Sequence, residues 1–420
     1  MSEKRKIALN RANCEALDAL DSLRDHRARF DLPDRIIYLD GNSLGALPTC
    51  TAARIDAVVR EEWGSSMIRA WNQHGWVTLP QRVGGKLAQL LGAGEDEVIV
   101  ADSTSVNIFK LLAGALAMAD VQSRRVILSE QGNFPTDLYI AEGLNAMLGG
   151  KYTLKLVEPA EIEGALDADV AVALVTQVDY CSGRLHDMAR LNECAKKAGT
   201  RIVWDLSHSA GALPVELNGD GTELAVGCGY KYLNGGPGAP AFLYIAKALQ
   251  ANFATPLSGW FGHLAPFAFE PTYTPATGIV RMLCGTPSII ALAALECGID
   301  TFKGVSTEAI RIKSLALSDL FRSLVDQQCG DFGFSCITPS EPAQQGSQLS
   351  FAHEHAYAIM QAIIDRGVIG DFRQPNLMRF GFTPLYVRFA DCWDAVSILR
   401  EVMLSGAWKA EKYHQRNPVT

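Results

Sequence analysis

The sequence of 420 residues lacks any long apolar run, any paired-cysteine motif and any excess of positive charge. Without a stretch of about eighteen apolar residues there is no candidate membrane span. The ten cysteines never fall at CxxC spacing and HExxH is missing. No structural zinc site is therefore expected, and the thiols read as reduced and partly buried. The formal net charge of −8 argues against a broad basic face for nucleic acid, though not against a small cationic pocket. The 37 glycines and 18 prolines are too scattered for a low-complexity linker. The polar start MSEKRKIALN is not followed by an apolar signal core, so a cytoplasmic location is expected.

What is there is an ordinary globular mixture, 48% hydrophobic and 20% charged, with length for two or three domains. RIIYLD (Arg35–Asp40) reads as a short strand ending in the turn GNSLG, and a helix is expected over Thr51 to Trp63. From about residue 80 to 300, apolar strand runs alternate with helices: Glu97–Ala101, Arg125–Leu128, Val170–Thr176, Arg201–Trp204, Leu224–Gly227 and Ala241–Ile245. Short, fully apolar strands separated by helices predict an α/β fold with a mostly parallel sheet covered on both faces. After residue 300 the texture changes. Leu317, Leu320, Phe321 and Leu324 mark an amphipathic helix, and SQLSF, VIGDF and MRFGF read as strands of a smaller α+β domain. The expected division is an N-terminal segment 1–60 packing with the small domain, a large domain 61–300 and a small domain 301–420.

Several constellations could carry chemistry. In RIVWDLSHSAG a strand releases Asp205, with His208 three residues on. At the carboxyl end of a strand such an Asp can hold a cationic ring nitrogen, or simply cap the next helix. In GCGYKYLNGGPG, Lys231 lies between Tyr230 and Tyr232, ahead of a Gly-rich turn. Desolvated, its amine is a nucleophile for Schiff-base chemistry; solvated, it is a snorkelling surface lysine. Thr104 and Ser105 in ADSTSVNIFK could offer a helix N-terminus to a phosphate or serve as caps. In NFPTDLY, Phe134 could lie on a flat ring and Asp137 could add a second carboxylate. Thr176 ends an apolar strand, and Trp260 sits in the Gly-flanked loop LSGWFGH. Arg379, inside an apolar strand, needs an anion: a structural carboxylate or that of a substrate. GNSLG also fits the G-x-S-x-G pattern of serine hydrolases, but Ala46-Leu47-Pro48 intervenes where a helix should start.

Taken together, YLDGNSLG, EEWG, IRAWN, NFPTDLYIAEGL, WDLSHSAGALPV, YKYLNGGPG, PLSGWFGH, CGTPSI and MRFGFTPLY closely resemble the kynureninase family. These are fold-type I pyridoxal-phosphate enzymes of the class V aminotransferase group, and the resemblance spans nearly the whole chain. It implies a large cofactor domain, a small C-terminal α+β domain and pyridoxal 5'-phosphate bound covalently to Lys231. It implies that Asp205 pairs with the ring nitrogen, supported by Asp137, and that Phe134 stacks on the ring. Thr104, Ser105 and Tyr230 would hold the phosphate region, joined by Trp260 and Thr286 from a second subunit of a homodimer. Thr176 and His208 would line the cofactor, and Arg379 would grip the substrate α-carboxylate. Ser43 and Trp71 would border the aromatic end, and Tyr230 would carry a proton. The implied reaction is hydrolysis of L-kynurenine, or its 3-hydroxy form, to anthranilate or 3-hydroxyanthranilate and L-alanine, a step of tryptophan catabolism. Gln177 and Asp179 (VTQVDY) depart from the His and Asn expected there, which leaves the ring preference open. The rivals are a cysteine desulfurase, for which Cys284 is the one loosely suitable thiol, a small-molecule transaminase and a cofactor-binding protein without catalysis.

Overall fold

The apolar runs of the middle of the chain all become strands of one sheet because every one of them is buried on both faces. The computed structural model describes residues 9–119 and 123–416; most of the polar start, Met1–Ala8, lies outside them. The large sheet has seven strands: β1 (Val98–Val100), β2 (Val126–Glu130), β3 (Thr153–Val157), β4 (Val170–Thr176), β5 (Ile202–Asp205), β6 (Leu224–Gly227) and β7 (Phe242–Ile245). Their order is β1-β7-β6-β5-β4-β2-β3. The pairs β6–β5, β5–β4, β4–β2 and β2–β3 are parallel, and β7 runs antiparallel to both its neighbours.

Successive residues feed opposite faces, as the twofold period of a strand requires. Val98, Leu128, Ala173, Trp204, Ala225 and Phe242 join one apolar core. Ile99, Ile127, Val172, Val203, Val226 and Leu243 join another, with Ile108, Leu111, Leu112 and Leu144 from the helices Thr104–Met118 and Pro135–Met147. The mostly parallel α/β sheet expected from the sequence is thus present. The edge strand β3 was not expected: TLKLV carries a lysine and is largely exposed, a common way of blunting a sheet edge.

The small antiparallel sheet comprises β8 (Ser335–Cys336), β9 (Gln348–Ala352), β10 (Asp371–Arg373) and β11 (Leu377–Gly381), in the order β8-β9-β11-β10. The helix Thr307–Cys329 covers it, and Leu317, Leu320, Phe321 and Leu324 are all buried. Phe321 meets Phe380 at 4.8 Å between ring centroids. The start of the chain packs here too. Ile37–Tyr38, from RIIYLD, pairs in parallel with Val368–Ile369. The Asp18 carboxylate, on the helix Arg11–Leu20, accepts the Phe389 and Ala390 N–H groups at 2.7 and 3.0 Å. It thereby caps the helix Phe389–Ser405 from outside. The helix expected over Thr51–Trp63 is α-helical to Ala57 and then widens to a π-helix. Among the described residues no helix is long and apolar enough to cross a membrane.

Candidate active site

The strand order reverses around β2: the chain leaves it for β3 on one side, then returns past it to β4 on the other. Ligands of open α/β sheets bind outside the carboxyl ends of strands at such a point. Here β4 ends in Thr176 and β5 in Asp205, paired side by side, and the segment after β2 carries Asn133, Phe134 and Asp137. Thr104, Ser105, Phe134, Thr136, Asp137, Thr176, Tyr180, Asp205, Ser207, His208, Tyr230 and Lys231 surround a cavity of about 210 Å³.

Asp205 caps no helix, because the segment after it is a run of turns. One oxygen accepts the Ser207 N–H at 2.8 Å, a local turn bond, while the residue also lines the cavity. Asp137 is buried in the first turn of its helix, and its Oδ2 has no hydrogen-bond partner. Burial pushes the carboxyl of Asp137 far above its usual range, the neighbouring Asp205 adds to this, and Lys231 and the Thr176 hydroxyl offset part of it. Burial likewise raises Asp205, against the pull of Ser207 and Lys231. Lys231 Nζ lies 2.9 Å from His208 Nε2 and 5.8 to 5.9 Å from the Tyr230 and Phe134 ring centroids. Burial first, and then the Lys231 and Arg379 charges, holds His208 well below its usual value, so its ring is neutral. Burial raises the Tyr230 phenol, which stays protonated. Tyr232 points the other way, donating to the Ser347 carbonyl at 3.1 Å.

The lysine loop is held by a close approach of backbones. Gly45 N–H donates to the Tyr230 carbonyl at 2.8 Å, and a Cβ on Gly45 would meet the Lys231 carbonyl at 2.4 Å. The glycines of GNSLG thus serve packing. Ser43 donates to Asp371 at 2.7 Å and accepts from Arg379 at 3.1 Å, so its hydroxyl bridges a buried ion pair rather than facing a histidine. At the other end of the cavity, Ser103 caps the helix Thr104–Met118. Thr104 and Ser105 therefore occupy its first two helical positions, whose N–H groups have no intrahelical acceptor.

Arg379 is buried and already holds a structural carboxylate. Its Nε donates to Asp371 at 2.7 Å, Nη2 pairs with the same carboxylate, and Nη1 donates to the Tyr180 carbonyl at 2.5 Å. Arg373 adds a second cation 2.8 Å from Asp371. Tyr180, which the sequence reading passed over, joins the two regions: its ring meets Phe134 edge-on at 5.3 Å while its carbonyl holds Arg379. Its only sequence signal was its place just after a strand end. Asp179 closes a turn by accepting from the Ser182 N–H and hydroxyl, and Gln177 is buried; neither lines the cavity.

Trp71, Trp260 and Thr286 do not line this cavity either. Trp71 packs against Phe261 at 5.8 Å, and Trp260 against Phe261 at 4.8 Å. Phe261 N–H donates to the Cys284 carbonyl at 3.2 Å, two residues from the exposed Thr286. All three thus belong to one region, in which Trp260, Leu264, Phe267 and Phe269 leave large apolar surface exposed.

The fold is shared with solved structures of low sequence identity. A cysteine desulfurase from Thermococcus onnurineus NA1 superposes with TM-score 0.75 at 17% identity, covering 91% of this chain and 98% of that one. The C-DES protein, solved with glycine covalently linked to its PLP cofactor, gives TM-score 0.77 at 18% identity over 89% and 99%. The fold is that of the fold-type I pyridoxal-phosphate enzymes. The residues here fit that cofactor on their own chemistry. Two buried carboxylates, one with an unpartnered oxygen, face a cavity whose lining offers Lys231 as its one lysine or arginine, so a further cationic ring nitrogen is accommodated.

Sequence similarity narrows the class. Residues 310–399 match the kynureninase C-terminal domain model. Curated kynureninases from Burkholderia mallei (strain SAVP1) and Pseudomonas fluorescens are 52% and 51% identical, covering 96% and 98% of this chain and 98% and 99% of their own lengths. The chain belongs to the kynureninase family.

Proposed function

We propose that this chain hydrolyses L-kynurenine, or its 3-hydroxy form, to anthranilate or 3-hydroxyanthranilate and L-alanine, using pyridoxal phosphate held by Lys231. The observation that carries the reading is Lys231 Nζ in a cavity shared with the Asp137 and Asp205 carboxylates, in a chain about half identical to kynureninases over nearly its whole length. Bound there, pyridoxal phosphate supplies the electron sink that lets negative charge develop on the substrate's α- and β-carbons.

The chain's own residues supply the rest. Asp205 and Asp137 would hold the ring nitrogen in its positively charged form. Phe134 would wall the ring, Thr176 and His208 would line it, and Thr104, Ser105 and Tyr230 would hold the phosphate end. The Lys231 amine would take the α-proton. Water adds to the γ-carbonyl and the Cβ–Cγ bond breaks, one water being consumed for the two products. Tyr230, which keeps its phenolic proton, would return a proton; such help is worth about 10²–10⁴-fold. Arg379 offers the substrate carboxylate the donor capacity it does not spend on Asp371, and Ser43 and Trp71 border the aromatic end.

Residues 61–300 form the cofactor domain in this reading, and 301–420 with 1–60 the small one. The protein acts as a homodimer in which Trp260, Thr286 and Trp71 complete the site of the second copy. The exposed apolar surface around Trp260 supports this, and ten cysteines without a disulfide suit the cytoplasm. The test is anthranilate fluorescence on adding L-kynurenine to the chain supplied with pyridoxal phosphate. Sulfide from L-cysteine, with no anthranilate, would favour the desulfurase reading instead. Mixing inactive Lys231→Ala with an inactive Thr286→Trp variant should restore activity if sites are shared between copies; no recovery in a verified mixed dimer would contradict sharing.

A further inference from the structure

Gln348 lies on β9, in the small sheet, fully buried and remote in sequence from the lysine loop. Its Nε2 donates to the Tyr180 carbonyl at 2.9 Å. A carbonyl only accepts, so this contact fixes which way the amide points. The other end, Oε1, then faces His208 Nδ1 at 3.1 Å. An amide oxygen also only accepts, so Nδ1 must carry the hydrogen. A neutral imidazole has one N–H, which leaves the Nε2 lone pair bare, and Lys231 Nζ is 2.9 Å from it.

We propose that Gln348 is a positioning residue that locks His208 in its Nδ1–H form, so that His208 Nε2 accepts a hydrogen bond from Lys231 whenever Nζ carries a proton. The opposite tautomer would turn an N–H toward the lysine and remove the only acceptor the imidazole can offer it. The lock crosses the junction between the sheets: the acceptor comes from β9, while His208 and Lys231 follow the central strands β5 and β6 of the large sheet. It also reaches the arginine, because the Tyr180 carbonyl that orients Gln348 accepts from Arg379 as well. Gln348 thus ties the docking of the small sheet to the protonation pattern beside the reactive amine. The proposal rests on the reading of Lys231 as that amine.

The experiment is nitrogen NMR of the full-length chain labelled with ¹⁵N-histidine, loaded with pyridoxal phosphate and stripped of it, with His208 assigned by its loss in His208→Gln. The expected result is a neutral His208 protonated on Nδ1 in the wild type. That signature should be lost in Gln348→Leu, which offers Nδ1 no acceptor. With L-kynurenine, Gln348→Leu should lower kcat about 10–100-fold, the range found when partners that orient metal-binding histidines are removed, while KM moves less than about twofold. A wild-type His208 protonated on Nε2 overturns the proposal even if Gln348→Leu fails to fold, as does an Nδ1–H that persists in Gln348→Leu. Absence of anthranilate formation by the wild type would sink the hydrolase reading and leave the tautomer result standing, so the two failures are distinguishable.

Discussion

The buried charge clusters on either side of Tyr180 are balanced in opposite senses. On the cofactor side, burial raises the carboxyls of Asp137 and Asp205, which have only one lysine and a neutral His208 beside them, so a further cation is needed to hold both as anions. On the other side, Arg379 and Arg373 share Asp371 and Asp40. Burial works against the charge of Asp371, but Arg379 outweighs it and holds that carboxyl below its usual value. Asp40 behaves differently: burial, and then Asp371, push it up to about 7. Near neutral pH it is partly protonated, which leaves the arginines in excess. One side therefore calls for a cation and the other for a carboxylate, the two ends of an amino acid joined to a pyridinium.

The sharpest way to break this comparison is to remove Arg379. Arg379→Ala leaves the buried Asp371 only the less buried Arg373 and the Ser43 hydroxyl and should cost up to about 3–5 kcal/mol of stability, read by urea denaturation. In protein that still folds, KM for L-kynurenine should rise steeply; an unchanged KM would make Arg379 purely structural. The double variant Arg379→Met, Asp371→Leu should regain stability without regaining substrate binding.

On the cofactor side, Asp205→Asn removes the carboxylate proposed to hold the ring nitrogen, and turnover should fall about 10²-fold or more, the scale of losing one preorganised electrostatic partner. A variant with near-normal kcat would show that Asp137 alone sets the charge of the ring.

The smallest effect on turnover belongs to Asp40, which does not line the cofactor cavity; its signature lies in the pH dependence of stability. The folded chain holds the Asp40 proton more tightly than the unfolded chain. Its contribution to stability is therefore fully present below the usual carboxylate pKa of about 4 and is lost as pH rises toward about 7. Asp40→Asn should flatten that loss, so the wild-type urea midpoint should drop more than the variant's between pH 5 and 8. Parallel profiles would remove Asp40 from the balance.

Much of the fold was legible because strands buried on both faces are written as unbroken apolar runs: VAVALVT and LAVG have the bounds the sequence suggested. The strand TLKLV was not legible, since an exposed edge needs no such run. Asp205, His208 and Lys231 stood out because reactive residue types followed strand ends. Asp371 did not, because its meaning depends on register: it faces Arg379 only once β10 and β11 pair antiparallel. Gln348 was one polar residue in the strand-like SQLSF, and only the folding of β9 against Tyr180 and His208 gives it a role. Sequence spacing conveys local geometry well, whereas pairings across sheets and between domains emerge only with topology.

The most direct measurement of the central claim is chemical. The chain loaded with pyridoxal phosphate is reduced with borohydride, digested, and searched by mass spectrometry for the residue that retains the pyridoxyl group. The account expects it on Lys231 and expects Lys231→Ala to retain none at any single site. A pyridoxyl group fixed on another lysine, with Lys231 unmodified and kynurenine still hydrolysed, would contradict it.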